Sequence, residues 1–234
     1  MYDELLLEIS STASSRYISR DLIEKASTTQ FPSPISKDTP TMANEEKIAL
    51  IADKFRDIME ILGLDLTDDS LQHTPTRVAK MYVEEIFSGL DPATFPEVSF
   101  FEDRFKHGQR SNMVFVKVNF CSFCEHHFVP MNGTAYVAYL PGDKLIGLSS
   151  IPRIVRFFAR RPQVQERLTA QIADAMSILT GSGDVAVSLR AEHQCMIARG
   201  IESEHSHVIT NSLRGEFDAG AELRKEFFDA MILG

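Results

Sequence analysis

The order of hydrophobic patterns predicts an α+β chain: an antiparallel sheet with helices packed on one face, preceded by an amino-terminal helical region. Three observations carry this prediction. Apolar residues recur at three- and four-residue spacing through 48–62 and 77–87, the period of amphipathic helices. Alternation marks 113–120 and 184–192, the period of strands. A further helical stripe fills 164–179 between them, so the elements run helices, hairpin, helix, hairpin, helix.

Residues 1–43 differ from the rest, with Ser10-Ser11-Thr12, Ser14-Ser15 and Ser27-Thr28-Thr29 followed by Pro32, Pro34 and Pro40. Such a segment buries little, and a poorly packed arm with one short helix near 5–9 or 17–25 is expected. From Asn44, a plausible cap, the residues Ile48, Ile51, Ala52, Phe55, Ile58, Met59 and Leu62 form one helix face that Gly63 stops. Thr74-Pro75 introduces a second helix closed by Gly89, and 91–112 reads as a loop. Val114, Val116, Val118 and Phe120 then alternate with Lys117 and Asn119 in a strand that pairs with 133–140. Ser149 to Arg161 carries arginines at 153, 156, 160 and 161. Pro162 starts a helix whose buried stripe is Val164, Leu168, Ile172, Ala175, Met176 and Leu179, with Gln165 and Glu166 at its positive end. Strands at 184–192 and 208–212 and a last helix at 221–231 complete the order. The division expected is an arm, 1–43, and a helical hairpin plus catalytic domain, 44–234.

A net charge of −9 argues against a nucleic-acid binder and against a protein held on anionic membranes, since both show a basic surplus. No apolar run reaches the roughly 18 residues that cross a bilayer. The acidic start Met1-Tyr-Asp-Glu lacks the positive charge of a secretory signal, so a cytoplasmic protein is expected.

The hairpin connection reads Cys121-Ser-Phe-Cys124-Glu-His126-His127, and a second cluster, His193-Gln194-Cys195, follows downstream. All three cysteines of the chain lie in these clusters, and thiolate with imidazole is the ligand set that suits zinc. In an extended segment His193 and Cys195 point to one face, and the three-residue spacing of Cys124 and His127 suits a single turn. The simplest ligand set is therefore Cys124, His127 and Cys195, with His126 and His193 free for proton transfer beside an open position. Adding Cys121 would instead close a four-ligand structural site. Strand parity weighs for placing Cys121 with the inward row of Val116, Val118 and Phe120. His205 and His207 read as partly solvated histidines, and the arginines of 153–161 as either a solvated face or an anion patch.

Cys124-Glu-His-His127, Ile146-Gly-Leu-Ser149, Arg161-Pro-Gln-Val-Gln-Glu-Arg-Leu168, His193-x-Cys195 and Ala198-Arg-Gly200 resemble GTP cyclohydrolase I of the zinc-dependent type. Thr74-Pro-x-Arg77 and Glu85-Ile-Phe-Ser-Gly89 extend the resemblance over roughly 44–232. It implies a tunnelling fold, in which the sheet assembles into a ring, a decamer, with active sites at subunit boundaries. It also implies the conversion of GTP and water to formate and 7,8-dihydroneopterin triphosphate. By position, Cys124, His127 and Cys195 resemble the Zn2+ ligands, and His126 and His193 the proton-transfer pair. Gln165 and Glu166 resemble the residues that hold the guanine edge, and Arg153 and Arg199, with Ser149, the triphosphate clamp.

Two positions depart from the family. Ser150 stands where lysine is usual, which removes a point charge beside the triphosphate and leaves open a paralogue that acts on another purine nucleotide. Arg156 is a candidate to compensate. Cys121 stands where an aromatic residue is usual and is expected to pack rather than ligate. A non-catalytic ring with a structural zinc is the remaining alternative.

Overall fold

The first strand of the hairpin extends beyond its alternating apolar run. In the computed structural model, which describes residues 19–36, 42–103, 112–142, 144–200 and 206–233, β2 (Val114–Cys124) pairs antiparallel with β3 (Pro130–Tyr139). β6 (Val185–His193) pairs with β3, and β7 (Val208–Leu213) with β6, both antiparallel. The two-residue β5 (Pro162–Gln163) joins β2 in parallel, giving the order β5-β2-β3-β6-β7. A second, two-stranded ladder pairs β1 (Phe100–Glu102) with β4 (Lys144–Ile146), both too short to show a period in the sequence.

On one face of β3, Met131, Ala135, Val137 and Tyr139 meet α4 (Ser150–Ala159) and α5 (Gln165–Thr180) through Ile154, Phe158, Leu168, Ile172 and Met176. Tyr136 and Ala138 point the other way by strand alternation. They meet Phe217 of α7 (Glu216–Ala219) and Leu223 and Phe227 of α8 (Ala221–Leu233). The packing of helices on one face therefore holds for α4 and α5, while the carboxy-terminal helix covers the opposite face at one end. The continuous apolar run of β3 follows from this double cover.

The arm is docked where the structure describes it. α1 (Arg20–Thr28) is capped by the Ser19 hydroxyl and buries Ala26 against the main core. Gln30 donates from its backbone and its side chain to Asp174 of α5, both at 2.8 Å. Arg161, 4% exposed, donates to Gly89 O, Ser33 Oγ and Ser27 O and stacks on Phe157 and Phe158. Within residues 19–36, Ala26, Ser27 and Ser33 are buried, and hydrogen bonds to Asp174 and Arg161 fix where the segment lies. The alternative helix near 5–9 lies outside the described residues.

α2 (Asn44–Ile61) begins at Asn44 with Ala43 as its unbonded cap, so Asn44 does not cap, and Gly63 (φ +78°) ends it. Only Met59 of this helix is buried, while Ile58, Ile61 and Leu62 are exposed. α3 (Thr74–Lys80) widens into a π-helical turn, Met81–Ile86. Gly89 then lies against α4, where a Cβ would sit 2.1 Å from Phe157 O. This close approach, rather than a helix stop, is what requires glycine there. Pro162 does not start a helix as expected. It lies in β5, and α5 begins at Gln165.

Candidate active site and metal centre

β2 ends at Cys124, so both cysteines of the C-x-x-C are on the strand and only 125–129 form the connection. Alternation makes Cys124, which is buried, part of the inward row, and leaves Cys121 exposed on the opposite side with Lys117 and Asn119. The expected inward, packed Cys121 is therefore wrong by one position of parity. The turn is closed by Phe128 N donating to Cys124 O at 2.8 Å, with Phe128 at φ +53°, an uncommon conformation for a large side chain. Its ring is held by Tyr82 and Phe87, with centroids 6.3 and 5.1 Å away. The π-helical turn therefore pins the loop that carries His126 and His127. Neither aromatic stood out in the sequence, where both read as helix packing.

The second cluster arrives from the end of β6. His193, extended, pairs with Met131, and Cys195 sits in the short helix α6 (Gln194–Ile197). The two are thus not on one extended segment as expected. Cys195 nonetheless reaches the first cluster: the ligand atoms of Cys124, His127 and Cys195 lie within 4.8 Å of one another, with Cys124 Sγ 4.0 Å from His127 Nδ1. Bonds of about 2.0 to 2.3 Å in a tetrahedron place ligand atoms roughly 3.5 to 3.8 Å apart, so this donor set fits one zinc ion with a position left over. Burial, then the neighbouring Cys124, push the Cys195 thiol above its ordinary range, and Arg199 acts the other way.

His126 is exposed, its Nδ1 3.7 Å from Cys124 Sγ and its Nε2 3.8 Å from Glu125 Oε1. His193 faces the buried Gln165. Gln165 Nε2 donates to Leu189 O, Val208 O and Thr210 Oγ1, so its Oε1 is the atom 2.7 Å from His193 Nε2. An amide oxygen only accepts, so His193 carries its proton on Nε2 and presents a bare Nδ1. Burial also lowers its pKa, against the opposing charge of Glu166.

Gln165, expected at the guanine edge, is thus held inside, and Glu166 is the exposed partner at the start of α5. Arg153 donates to Ser149 O and Ser149 Oγ and shares a cavity of about 240 Å³ with Arg156 and Arg160. Ser150 is fully buried, and among the described residues its hydroxyl has no hydrogen-bond partner. Arg199 Nη1 lies 2.8 Å from His127 Nε2. His207 pairs with Glu192 at 3.6 Å, and His205 lies outside the described residues. Sequence reasoning missed Arg167, which donates to Glu125 beside the ligands and to Gln163 Oε1 at 3.1 Å.

The profile of the family described as GTP cyclohydrolase I matches residues 51–232. GTP cyclohydrolase 1 of Aeromonas salmonicida is 51% identical over 199 residues, covering 83% of this chain and 90% of its own length. That of Aeromonas hydrophila is 52% identical over 195 residues, covering 81% and 88%, and that of Escherichia coli is 50% identical, covering 85% and 88%. With the Cys-His-Cys group assembled at the end of β2, these matches show that the chain belongs to the GTP cyclohydrolase I family.

Proposed function

We infer that this chain opens and rearranges GTP with one water to give formate and 7,8-dihydroneopterin triphosphate, the first step of folate synthesis. The observation that carries the reading is the meeting of Cys124, His127 and Cys195 beside a His193 whose free nitrogen is fixed by Gln165. Held by those three side chains, zinc supplies a Lewis acid able to bring the pKa of water to about 7.

The chain's own residues supply the rest. His193, neutral and with Nδ1 bare, accepts the proton of the water that attacks C8 of guanine. His126, exposed beside Cys124, delivers a proton to N7 as the imidazole ring opens. Glu166 accepts from N1–H and the exocyclic amine, while Gln165 holds His193 in its working tautomer. Arg153 and Ser149 receive the triphosphate, and Arg156 and Arg160 line the same cavity. Arg199 would join them: were His127 to hold the metal by its other ring nitrogen, Nε2 would carry the proton, and the guanidinium now beside it would be free to turn to the phosphates.

We further propose a ring of copies of this chain, a decamer by family resemblance, with sites at subunit boundaries. His126, His127, Glu166 and Arg199 are all exposed, and Ile61, Leu62, Ile232 and Leu233 are 69–89% exposed, apolar surface that association would cover. Among the described residues no helix is long and apolar enough to cross a membrane, and a cytoplasmic location is proposed with this. The proposed division of the chain is an arm, 1–43, and a hairpin plus catalytic domain, 44–234. Incubating the zinc-loaded protein with GTP should release formate and leave a product that becomes fluorescent on oxidation. No product from GTP would overturn the reading, and light scattering would test the ring.

A further inference from the structure

A single chain of hydrogen bonds connects the metal loop to the amino-terminal arm, which lies outside the part of the sequence that matches the family. Arg167 donates one guanidinium arm to Glu125, between Cys124 and His126, and donates Nε to Gln163 Oε1 at 3.1 Å. Gln163 Nε2 donates to Gln171 Oε1 at 2.7 Å and to Phe158 O at 2.9 Å. Gln171 Nε2 then donates to Phe31 O at 2.7 Å and reaches Ser33 Oγ at 3.4 Å. Ser33 Oγ also receives Arg161 Nη1 at 3.3 Å.

Every orientation in this chain is dictated by chemistry. A guanidinium only donates and a backbone carbonyl only accepts, so neither glutamine can turn its amide without placing like groups together. Gln163 and Gln171 are 1% and 0% exposed, so water does not replace a broken link. At the loop end, Glu125 N also donates to Gln163 O at 2.9 Å, which ties the same residue to the same strand by its backbone. With both buried amides bonded at oxygen and nitrogen, the network holds its ends in one arrangement.

We propose that the arm segment at residues 31–33 is part of the catalytic apparatus. Through Gln171, Gln163 and Arg167 it fixes Glu125, and so the direction in which His126 and His127 leave the turn. Gln171, Gln163 and Arg167 are positioning residues that touch neither substrate nor metal. This rests on the cyclohydrolase reading given above.

The test is a double-mutant cycle on the zinc-loaded full chain, read as formate release from GTP. Gln171→Met keeps the shape and removes all three of its contacts, to Gln163, Phe31 O and Ser33 Oγ. It should lower kcat by about ten-fold, the low end of what outer contacts to a metal site contribute, with KM within about two-fold and zinc content unchanged. Glu125→Gln should do the same, and the double variant should be no slower than the slower single one, because both cut one connection. Gln30→Ala loosens the exposed neighbour of Phe31 without entering the core, so it stays informative if Gln171→Met does not fold. It should slow the native protein by about two-fold and the Glu125→Gln variant not at all. Effects that multiply in the double variant, or a lowered melting temperature with unchanged kcat, would overturn the proposal. Absence of formate from the unaltered protein would instead remove the cyclohydrolase reading.

Discussion

On the sheet side of the site, Arg161, Arg167 and Arg214 are all answered within the protein. They meet the carbonyls of Gly89 and Ser27, the carboxylate of Glu125 and the buried carboxylate of Asp174. On the exposed flank of α4, among the described residues, Arg153 hydrogen-bonds to Ser149 and neither it, Arg156 nor Arg160 has an acidic partner. Acids are plentiful, at 33 against 24 lysines and arginines. Three cations left unanswered around one cavity in so acidic a chain are therefore placed for an anion from outside. On the function proposed above, the answered arginines are scaffold and the unanswered ones receive the triphosphate.

The largest expected effect falls between these two walls. His193→Ala should lower kcat by about 10² to 10⁴ while leaving zinc content near one per chain and the melting temperature little changed. Formate release and metal analysis on the same sample check it. Retained turnover would return His193 to the scaffold.

Next in size is Arg161→Met. Burial, then Arg167, push this guanidinium down to about 10, so it is still a cation at neutral pH, and among the described residues it has no carboxylate partner. Removing it strands Gly89 O and Ser27 O in a dry site, which costs about 2 kcal/mol of stability. Urea unfolding should show that loss with little dependence on salt, since buried contacts are poorly screened. Arg156→Ala or Arg160→Ala should behave in the opposite way. Each should leave the unfolding midpoint in place and raise KM for GTP by about five-fold, or about 1 kcal/mol, an effect that shrinks as salt is added. Equal KM in variant and parent would dissolve the contrast between the two walls.

Sequence reading placed the ligands because metal chemistry restricts residue type and spacing together: Cys124, His127 and Cys195 meet as the pattern required. It placed the sheet because alternation survives in β2 and β6, and missed β1 and β4 because three residues hold no period. The hydrogen bonds of Gln165 were not legible either, because the sequence shows an amide at a helix start but not which carbonyls surround it. The chain from Glu125 to Phe31 was invisible for a related reason. Its members are 31, 125, 163, 167 and 171, and only the fold makes them neighbours. The arm's serines and prolines predicted a poorly packed segment with one short helix, but not its hydrogen bonds to the distant Arg161 and Asp174.

The smallest effect is the sharpest test of the metal centre. Cys121 and Cys124 form a motif that on spacing alone closes a four-ligand zinc site. The strand turns them to opposite sides: Cys124 is 6% exposed and joins the ligand group, whereas Cys121 is exposed, with its thiol 3.9 Å from Ser122 O. Cys121 lines a different cavity, of about 290 Å³, with Asn119, Arg156 and Arg160. Moving it to the metal would require a shift of one residue in β2, which would turn every inward side chain from Val114 to Phe120 outward. Cys121→Ser should therefore leave one zinc per chain and change stability by less than about 0.5 kcal/mol, whereas Cys195→Ser should lose the metal. Equal zinc loss in both would mean that the site is closed by four ligands, which leaves no position for water.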